Sequence, residues 1–357
     1  MRSLNLEFFA YCRPFSTPLR TAHGLWSERA GLIVKITEGN RTGWGEVAPL
    51  PWFGTESFDK AMECLAALTG AIAVEDLWDV SERYPCCQFA IGSALWMLED
   101  AEVQNRVIDL DTSNVLPGFS AANLSAQRVA GLMPAGAGAL DKWQGLYDQG
   151  HRTLKWKVTG DLQELDIFEQ LLESLPDGVA LRLDANGGLS RSQAEDWLAR
   201  CDRLPPGWVE YFEQPLPPED FDGLQRLRET FSTMLALDES VATVGQLQRV
   251  AAKGWDGTVV VKPAIAGYPQ YFFSGHLGHL GGLRIATPDN SREPAAQQPW
   301  LEKFSGVVFS SVFETPIGQW GALKLAAMLG SQDRALGFGT DAWLAPVTEV
   351  KLKKVVR

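Results

Sequence analysis

Five strand-like apolar runs in the second half of this 357-residue chain end in a charged residue: Lys157, Asp184, Glu213, Asp238 and Lys262. Successive members lie 24 to 29 residues apart, about one βα unit when roughly 250 residues make eight of them. An ionised side chain is seldom placed at the end of a buried strand unless it is paired or holds a metal. A single case is equally well a salt bridge at the base of a barrel. Five in register at carboxyl ends, where barrels hold their active sites, point to one shared site. The three acids come from consecutive strands, so their carboxylates are expected to converge at the barrel mouth. Crowded carboxylates raise one another's pKa unless a cation lies among them. Oxygen donors without His or Cys select a hard ion, Mg2+ or alternatively Mn2+, with positions left for substrate oxygens. Asn186, two residues beyond Asp184, is placed either to orient that carboxylate or simply to make a turn.

On the preceding strand, the two-residue period of Lys155-Trp156-Lys157 turns both ammonium groups to one face and Trp156 toward the helices. Two inward lysines are expected to depress each other's pKa from about 10.4, which makes one of them a general base near neutral pH. Lys262 arrives from the far side of the acids, so two amines flank the expected metal. A carboxylate substrate on that metal presents its α-carbon between them, and the chemistry is removal of an α-proton.

These residues need a scaffold, and the hydrophobic pattern supplies one. Leu4 to Phe9, Gly31 to Thr37 and Gly43 to Val47 read as strands, with a turn at Glu38-Gly39-Asn40. Helical patterns follow at Phe58–Thr69, Glu75–Arg83 and Cys87–Val103, the last with Phe89, Ser93, Ala94, Trp96, Met97 and Ala101 on its buried face. Strands then helices without alternation describe an α+β domain over residues 1–110. Over residues 111–357 apolar runs alternate with amphipathic helices such as Leu162–Leu175 and Ser192–Leu204. The strand runs are Phe119–Leu124, Thr153–Val158, Ala180–Asp184, Trp208–Phe212, Met234–Leu237, Thr258–Val261, Leu283–Ile285, Val307–Ser310 and Leu336–Phe338. That repetition predicts a parallel α/β barrel, and the lack of a Gly-rich dinucleotide fingerprint weakens an open sheet.

Composition narrows the class. With 32 Lys and Arg against 44 Asp and Glu, the formal charge is −12, and such a surface repels phosphate backbones, so nucleic acid is not an expected partner. An anionic ligand then needs its positive charge concentrated locally. The five cysteines show no CxxC spacing and read as reduced thiols, with Cys86 and Cys87 as buried residues opening a helix. No apolar stretch approaches the roughly 20 residues that span a bilayer, and MRSLNLEFF lacks the apolar core of a leader. A cytoplasmic protein without membrane contact is expected. His276 and His279 have no third ligand nearby, and Lys351-Leu352-Lys353-Lys354 reads as a solvated strand edge.

The motifs Lys155-Trp156-Lys157, Leu183-Asp184-Ala185-Asn186, Glu213-Gln214-Pro215, Leu237-Asp238-Glu239-Ser240 and Val261-Lys262-Pro263 resemble those of the enolase superfamily, whose members pair a Lys or His base with Mg2+. The resemblance spans the whole chain. It implies a modified (β/α)8 barrel with an N-terminal α+β capping domain, to which the last residues return. It further implies Asp184, Glu213 and Asp238 as metal ligands, Lys157 and Lys262 as catalytic lysines, and Asn186 and Glu239 as supports behind the ligands. Within the superfamily the chain most resembles the o-succinylbenzoate synthase family, dehydratases of menaquinone and phylloquinone biosynthesis. Ser310-Ser311-Val312-Phe313-Glu314 resembles that family's substrate-contacting seventh strand. Ser27-Glu28-Arg29-Ala30-Gly31 and Gly45-Glu46-Val47-Ala48-Pro49-Leu50 resemble the cap loops that close over substrate. Arg29, Lys155, Arg182, Ser310 and Ser311 are therefore expected to bind substrate, although Arg182 serves equally well as an inward salt-bridge partner.

The implied reaction is Mg2+-dependent syn-dehydration of 2-succinyl-6-hydroxy-2,4-cyclohexadiene-1-carboxylate through an enediolate generated by Lys157, with Lys262 on the opposite face. Two opposed lysines also suit N-succinylamino acid racemisation, dipeptide epimerisation or muconate cycloisomerisation. Dipeptide epimerases carry Asp-x-Asp on the eighth strand, where this chain has Gly337-Phe338-Gly339-Thr340-Asp341. A barrel that binds without catalysis is the reading from another class, and Mg2+-dependent exchange of an α-proton separates it from the enzymes.

Overall fold

A computed structural model describes residues 3–21, 24–104, 124–161, 163–273, 298–329, 334–340, 343–345 and 351–354. Its N-terminal part is built on a long hairpin, β1 (Ser3–Thr21) against β2 (Gly24–Glu38), with β3 (Arg41–Val47) completing a meander. Alternation drives it: Leu4, Leu6 and Phe8, like Leu32, Val34 and Ile36, all turn inward and are buried. The hairpin runs further than the sequence pattern predicts. Beyond an irregularity between Pro14 and Leu19 it extends to a tip that carries Trp26. β4 (Gly70–Ala73) pairs with the start of β1.

The helix Pro85–Glu99 crosses this sheet with every residue from Pro85 to Leu98 buried, so the expected single buried face is two. Its end comes at Asp100, whose extended backbone interrupts the predicted Cys87–Val103 pattern, and Ala101 beyond it is exposed. Gly45 makes the contact possible: a Cβ there would fall 1.9 Å from the carbonyl oxygen of Ala90. Glu56 accepts the backbone N–H groups of Cys86 and Cys87 and so caps the helix where its donors are otherwise unpaired. The expected helix Glu75–Arg83 is shorter, Val74–Leu77.

The second part is one parallel sheet. In spatial order it runs β5 (Gly131–Met133), β6 (Thr153–Lys157), β7 (Ala180–Asp184), β8 (Val209–Glu213), β9 (Leu235–Leu237), β10 (Thr258–Val261) and β11 (Gly306–Phe309). Parallel bridges from Leu336 to Val129 and from Gly337 to Ser310 bring its two edges together, so the sheet curls shut. The eighth position is thus held by bridges rather than by a full strand Leu336–Phe338. Among the described residues the first strand of the ring is Gly131–Met133; of the predicted Phe119–Leu124 only Leu124 is described, and it is not in a strand. Leu283–Ile285, His276, His279 and Asp341 lie outside the described residues.

Helices flank the strands, and two of them, Arg191–Cys201 and Val244–Ala252, open with reciprocal capping boxes from Ser190 with Gln193 and Thr243 with Gln246. β12 (Lys351–Lys354) returns to pair antiparallel with β1 as an edge strand of the N-terminal sheet. No helix among the described residues is long and apolar enough to cross a membrane.

Candidate active site

The ends of β6 to β10 deliver the charged residues. Along β6, Leu154 and Trp156 are buried against the helices while Lys155 and Lys157 face the barrel axis. Trp156 sits among the rings of Phe168 and Trp197, which fixes the strand's rotation. Register aligns Lys157 with Asp184 and Asp184 with Glu213, so three neighbouring strands present these groups in one layer. Two residues earlier on β8 to β11, hence on the same inward face, Tyr211, Ala236, Val260 and Val308 pack into a separate apolar cluster. The charged layer rests on that plug.

Lys155 donates to Asp184 Oδ2 at 2.9 Å and to Glu213 Oε1 at 2.8 Å. Lys262 pairs with Asp238 and lies 4.7 Å from the centre of the Phe53 ring. Asp184 also accepts the backbone N–H of Asn186 at 3.0 Å. Asn186 takes a left-handed conformation, φ 45°, and its amide donates to Glu239 Oε1 at 3.1 Å. Asn186 thus lies in the turn after β7, with its backbone N–H on the Asp184 carboxylate and its side chain on Glu239.

The electrostatics follow from burial among like and unlike charges. Burial alone pulls the Lys155 ammonium down, but Asp184, Glu213 and Asp238 outweigh it and hold the group well above the usual lysine value. Lys155 is thus a fixed cation, and the expected mutual depression by Lys157 does not govern it; the surrounding acids do. Burial pushes Asp184 up, yet Lys155, with help from the Asn186 N–H and Lys157, brings it below the ordinary carboxylate value. Glu213 is driven well above its usual value by burial and then by Asp184 and Asp238, against the pull of Lys155 and Lys262. Glu239 rises to about 7, chiefly by burial and next by Asp238 and Asp184.

This arrangement bears on a metal. Among the described residues no three His, Cys, Asp or Glu side chains stand close enough together to ligate one ion as they are; ammonium groups take up the acids instead. The donor chemistry nevertheless fits a hard divalent cation. Glu213 is fully buried, its Oε2 has no hydrogen-bond partner among the described residues, and its charge is disfavoured by two neighbouring acids. Lys155 reaches only its Oε1, so Oε2 is a donor that a hard cation would take.

The expected substrate-binding residues fare unevenly. Arg182 is 1% exposed, forms a two-point bond to Glu210 at 2.7 and 3.1 Å and stacks on Tyr211, so it is an internal salt-bridge partner one layer below the site. Ser311 is also committed: its hydroxyl donates to Glu314 and accepts from the Phe313 N–H and the Thr340 hydroxyl. Ser310 donates to the Gly337 carbonyl and keeps its acceptor lone pairs. Arg29, 2% exposed, bonds the carbonyls of Ala30 and Pro49 through Nη1 and lies against Trp26, while its buried Nε and Nη2 have no partner among the described residues. Arg182 and Ser311 have their partners for the same reason. A polar residue inside a fold satisfies its hydrogen bonds locally, and sequence does not reveal the partner.

Three further features carry roles that sequence reasoning did not assign. Glu46 of β3 accepts from the Tyr11 and Thr315 hydroxyls and from the N–H groups of Thr315 and Gly318, tying the cap to the start of the helix Pro316–Met328. The rings of Phe15, Trp26, Trp52 and Phe313 meet at centroid distances of 4.8 to 5.5 Å, joining the hairpin tip to the turn after β11. Gln214 is fully buried beside Glu213. The signal for Glu46 was an acid between Gly45 and Val47 in the fully buried end of β3.

A curled parallel sheet with a separate antiparallel domain at its amino end defines the enolase-type barrel. Known proteins agree: residues 139–267 match the family described as Enolase C-terminal domain-like, and residues 1–98 match MenC, N-terminal domain. The chain is 33% identical over 336 residues to o-succinylbenzoate synthase of Thermosynechococcus vestitus, covering 93% of this chain and 91% of that protein. A crystal structure of o-succinylbenzoate synthase from Thermosynechococcus elongatus, complexed with Mg in its active site, is similar with a TM-score of 0.75 at 31% identity, over 95% of this chain and 94% of that one. A hydrophobic dipeptide epimerase of Roseobacter litoralis is 29% identical over 253 residues, 64% of this chain and 67% of that protein. The chain belongs to the o-succinylbenzoate synthase family of the enolase superfamily.

Proposed function

We propose that the chain is a carbon–oxygen lyase that dehydrates 2-succinyl-6-hydroxy-2,4-cyclohexadiene-1-carboxylate to o-succinylbenzoate, in the cytoplasm, for menaquinone or phylloquinone synthesis. In this reading residues 1–110 are its cap and residues 111–357 its barrel, with the last strand, Lys351–Lys354, returning to the cap sheet. The observation that carries this reading is the layer of acids and amines at the ends of β6 to β10, in a chain of this family. Asp184, Glu213 and Asp238 are the residues that would hold Mg2+, or Mn2+ in its place, and the ion when bound supplies Lewis-acid stabilisation of charge building on the substrate carboxylate.

The chain's own residues do the rest. Lys155, a fixed cation, attracts the anionic substrate, and Ser310 offers its free lone pairs to a substrate donor. Lys157 removes the proton from the carbon bearing the ring carboxylate. The electron pair left behind expels hydroxide from the neighbouring carbon. Lys157, now an ammonium, returns its proton to that hydroxide on the same face, which releases water and an aromatic ring. Lys262 stands on the opposite face, beside the Phe53 ring. The stretch Gly337-Phe338-Gly339-Thr340-Asp341 lacks the acidic pair of an epimerase, and a Cβ at Gly337 would fall 2.5 Å from Ser310 Oγ.

The test is to give the purified protein Mg2+ and, separately, the cyclohexadiene carboxylate and an N-succinylamino acid. Ultraviolet absorbance follows loss of the diene, and polarimetry follows racemisation. Dehydration well above any racemisation is expected. Racemisation without dehydration would replace this reading with the racemase.

A further inference from the structure

The ladder between β8 and β9 is short. It pairs Phe212 with Leu235 and Glu213 with Ala236 and goes no further. Asp238 then leaves strand geometry, with φ −125° and ψ −76°, so main-chain pairing does not hold it against Glu213. Gln214 stands where the ladder stops. It is fully buried and adopts φ 37°, a left-handed conformation disfavoured for any residue with a side chain. Its N–H donates to the Ala236 carbonyl at 2.8 Å. Its side-chain Oε1 accepts the backbone N–H of Asp238 at 3.0 Å and that of Ser240 at 3.2 Å. Its Nε2 donates to the Leu216 carbonyl at 2.9 Å and to Ser240 Oγ at 2.8 Å. Every side-chain donor and acceptor position of the amide is in use.

We propose that Gln214 is a positioning residue that sets the spacing between the Glu213 and Asp238 carboxylates, continuing the β8–β9 connection through its side chain. The residue type follows from the partners. Two N–H groups need a two-lone-pair acceptor, and a carbonyl needs a donor fixed beside it. Only a planar carboxamide of this length offers both, whereas an ionised glutamate has no donor for Leu216. Left unpaired, those buried groups would draw the 238–240 turn toward other partners. The inference rests on the reading that Glu213 and Asp238 share a metal.

Mn2+ binding to the full chain, read by electron paramagnetic resonance of free ion without substrate, tests both. Gln214→Met is expected to raise the Mn2+ dissociation constant by roughly 10- to 100-fold, the usual effect of removing a support behind a ligand. Its lost turnover should return as Mg2+ is raised, while its thermal midpoint without metal stays near wild type, which separates weakened binding from a merely unstable fold. A folded Gln214→Met with wild-type affinity overturns the proposal. Should that variant not fold, Ser240→Ala decides, because it removes one anchor of the amide and leaves the strands intact: a several-fold weaker Mn2+ affinity supports the proposal and an unchanged one overturns it. Wild-type protein that binds no Mn2+ sinks the metal reading itself, and this inference with it.

Discussion

Lys157→Ala should lower the dehydration rate by about 10²- to 10⁴-fold, the range for loss of a general base, while circular dichroism and thermal midpoint stay near wild type. A variant that turns over normally would move the base elsewhere. Lys155 is not that base, because the three acids around it keep it charged. Sequence placed both lysines correctly on one face, but it could not say which would be captured by Asp184 and Glu213, since that depends on cross-strand distances. Glu314 offers a separate test. Burial, and next the Glu46 charge, lift its pKa from 4.5 to about 7 despite bonds from Ser311 and Val312. The folded state therefore holds a proton that the unfolded state releases, and stability falls as pH rises from about 4.5 through about 7. Glu314→Gln removes that slope, worth on the order of 3 kcal/mol at full ionisation. Urea unfolding at pH 5 and pH 8 should show wild type losing stability relative to the variant; parallel changes would show that Glu314 is not shifted.

At the scale of elements, the barrel's central strands were legible because each apolar run ends in a charge, a conflict that only a site at a strand end resolves. Ala180–Asp184 and Thr258–Val261 form as the pattern predicts. β5 was not legible, since three residues, Gly131–Met133, are too few to show a period. The helix Pro85–Glu99 was read as one-faced because apolar residues surround it entirely and leave no moment to orient. Its packing rests on the close approach at Gly45. Gly45→Val should cost about 1–3 kcal/mol or more, the cost of overpacking against backbone that cannot move aside, measured as a lower urea midpoint. Wild-type stability would mean that the strand and helix are not locked at this point.

Across the whole molecule, a chain with net charge −12 concentrates lysines at the barrel mouth, which gives an anionic substrate a local target. The cap is coupled to that mouth through Glu46 and through the ring cluster around Trp26 and Phe313. Glu46→Ala would leave the buried N–H groups of Thr315 and Gly318 without their acceptor, at about 1–3 kcal/mol each. It should lower stability and raise KM more than it lowers kcat, because the cap covers the site while the barrel carries the chemistry. An unchanged KM would separate the cap from substrate binding. Such coupling between distant segments has no local sequence signature, whereas the five charged strand ends do.

The most direct measurement is turnover of the cyclohexadiene carboxylate by protein dialysed exhaustively against chelator. The account predicts that activity vanishes and returns in proportion to added Mg2+, and that Lys157→Ala stays inactive throughout. Full turnover without any divalent ion would contradict it.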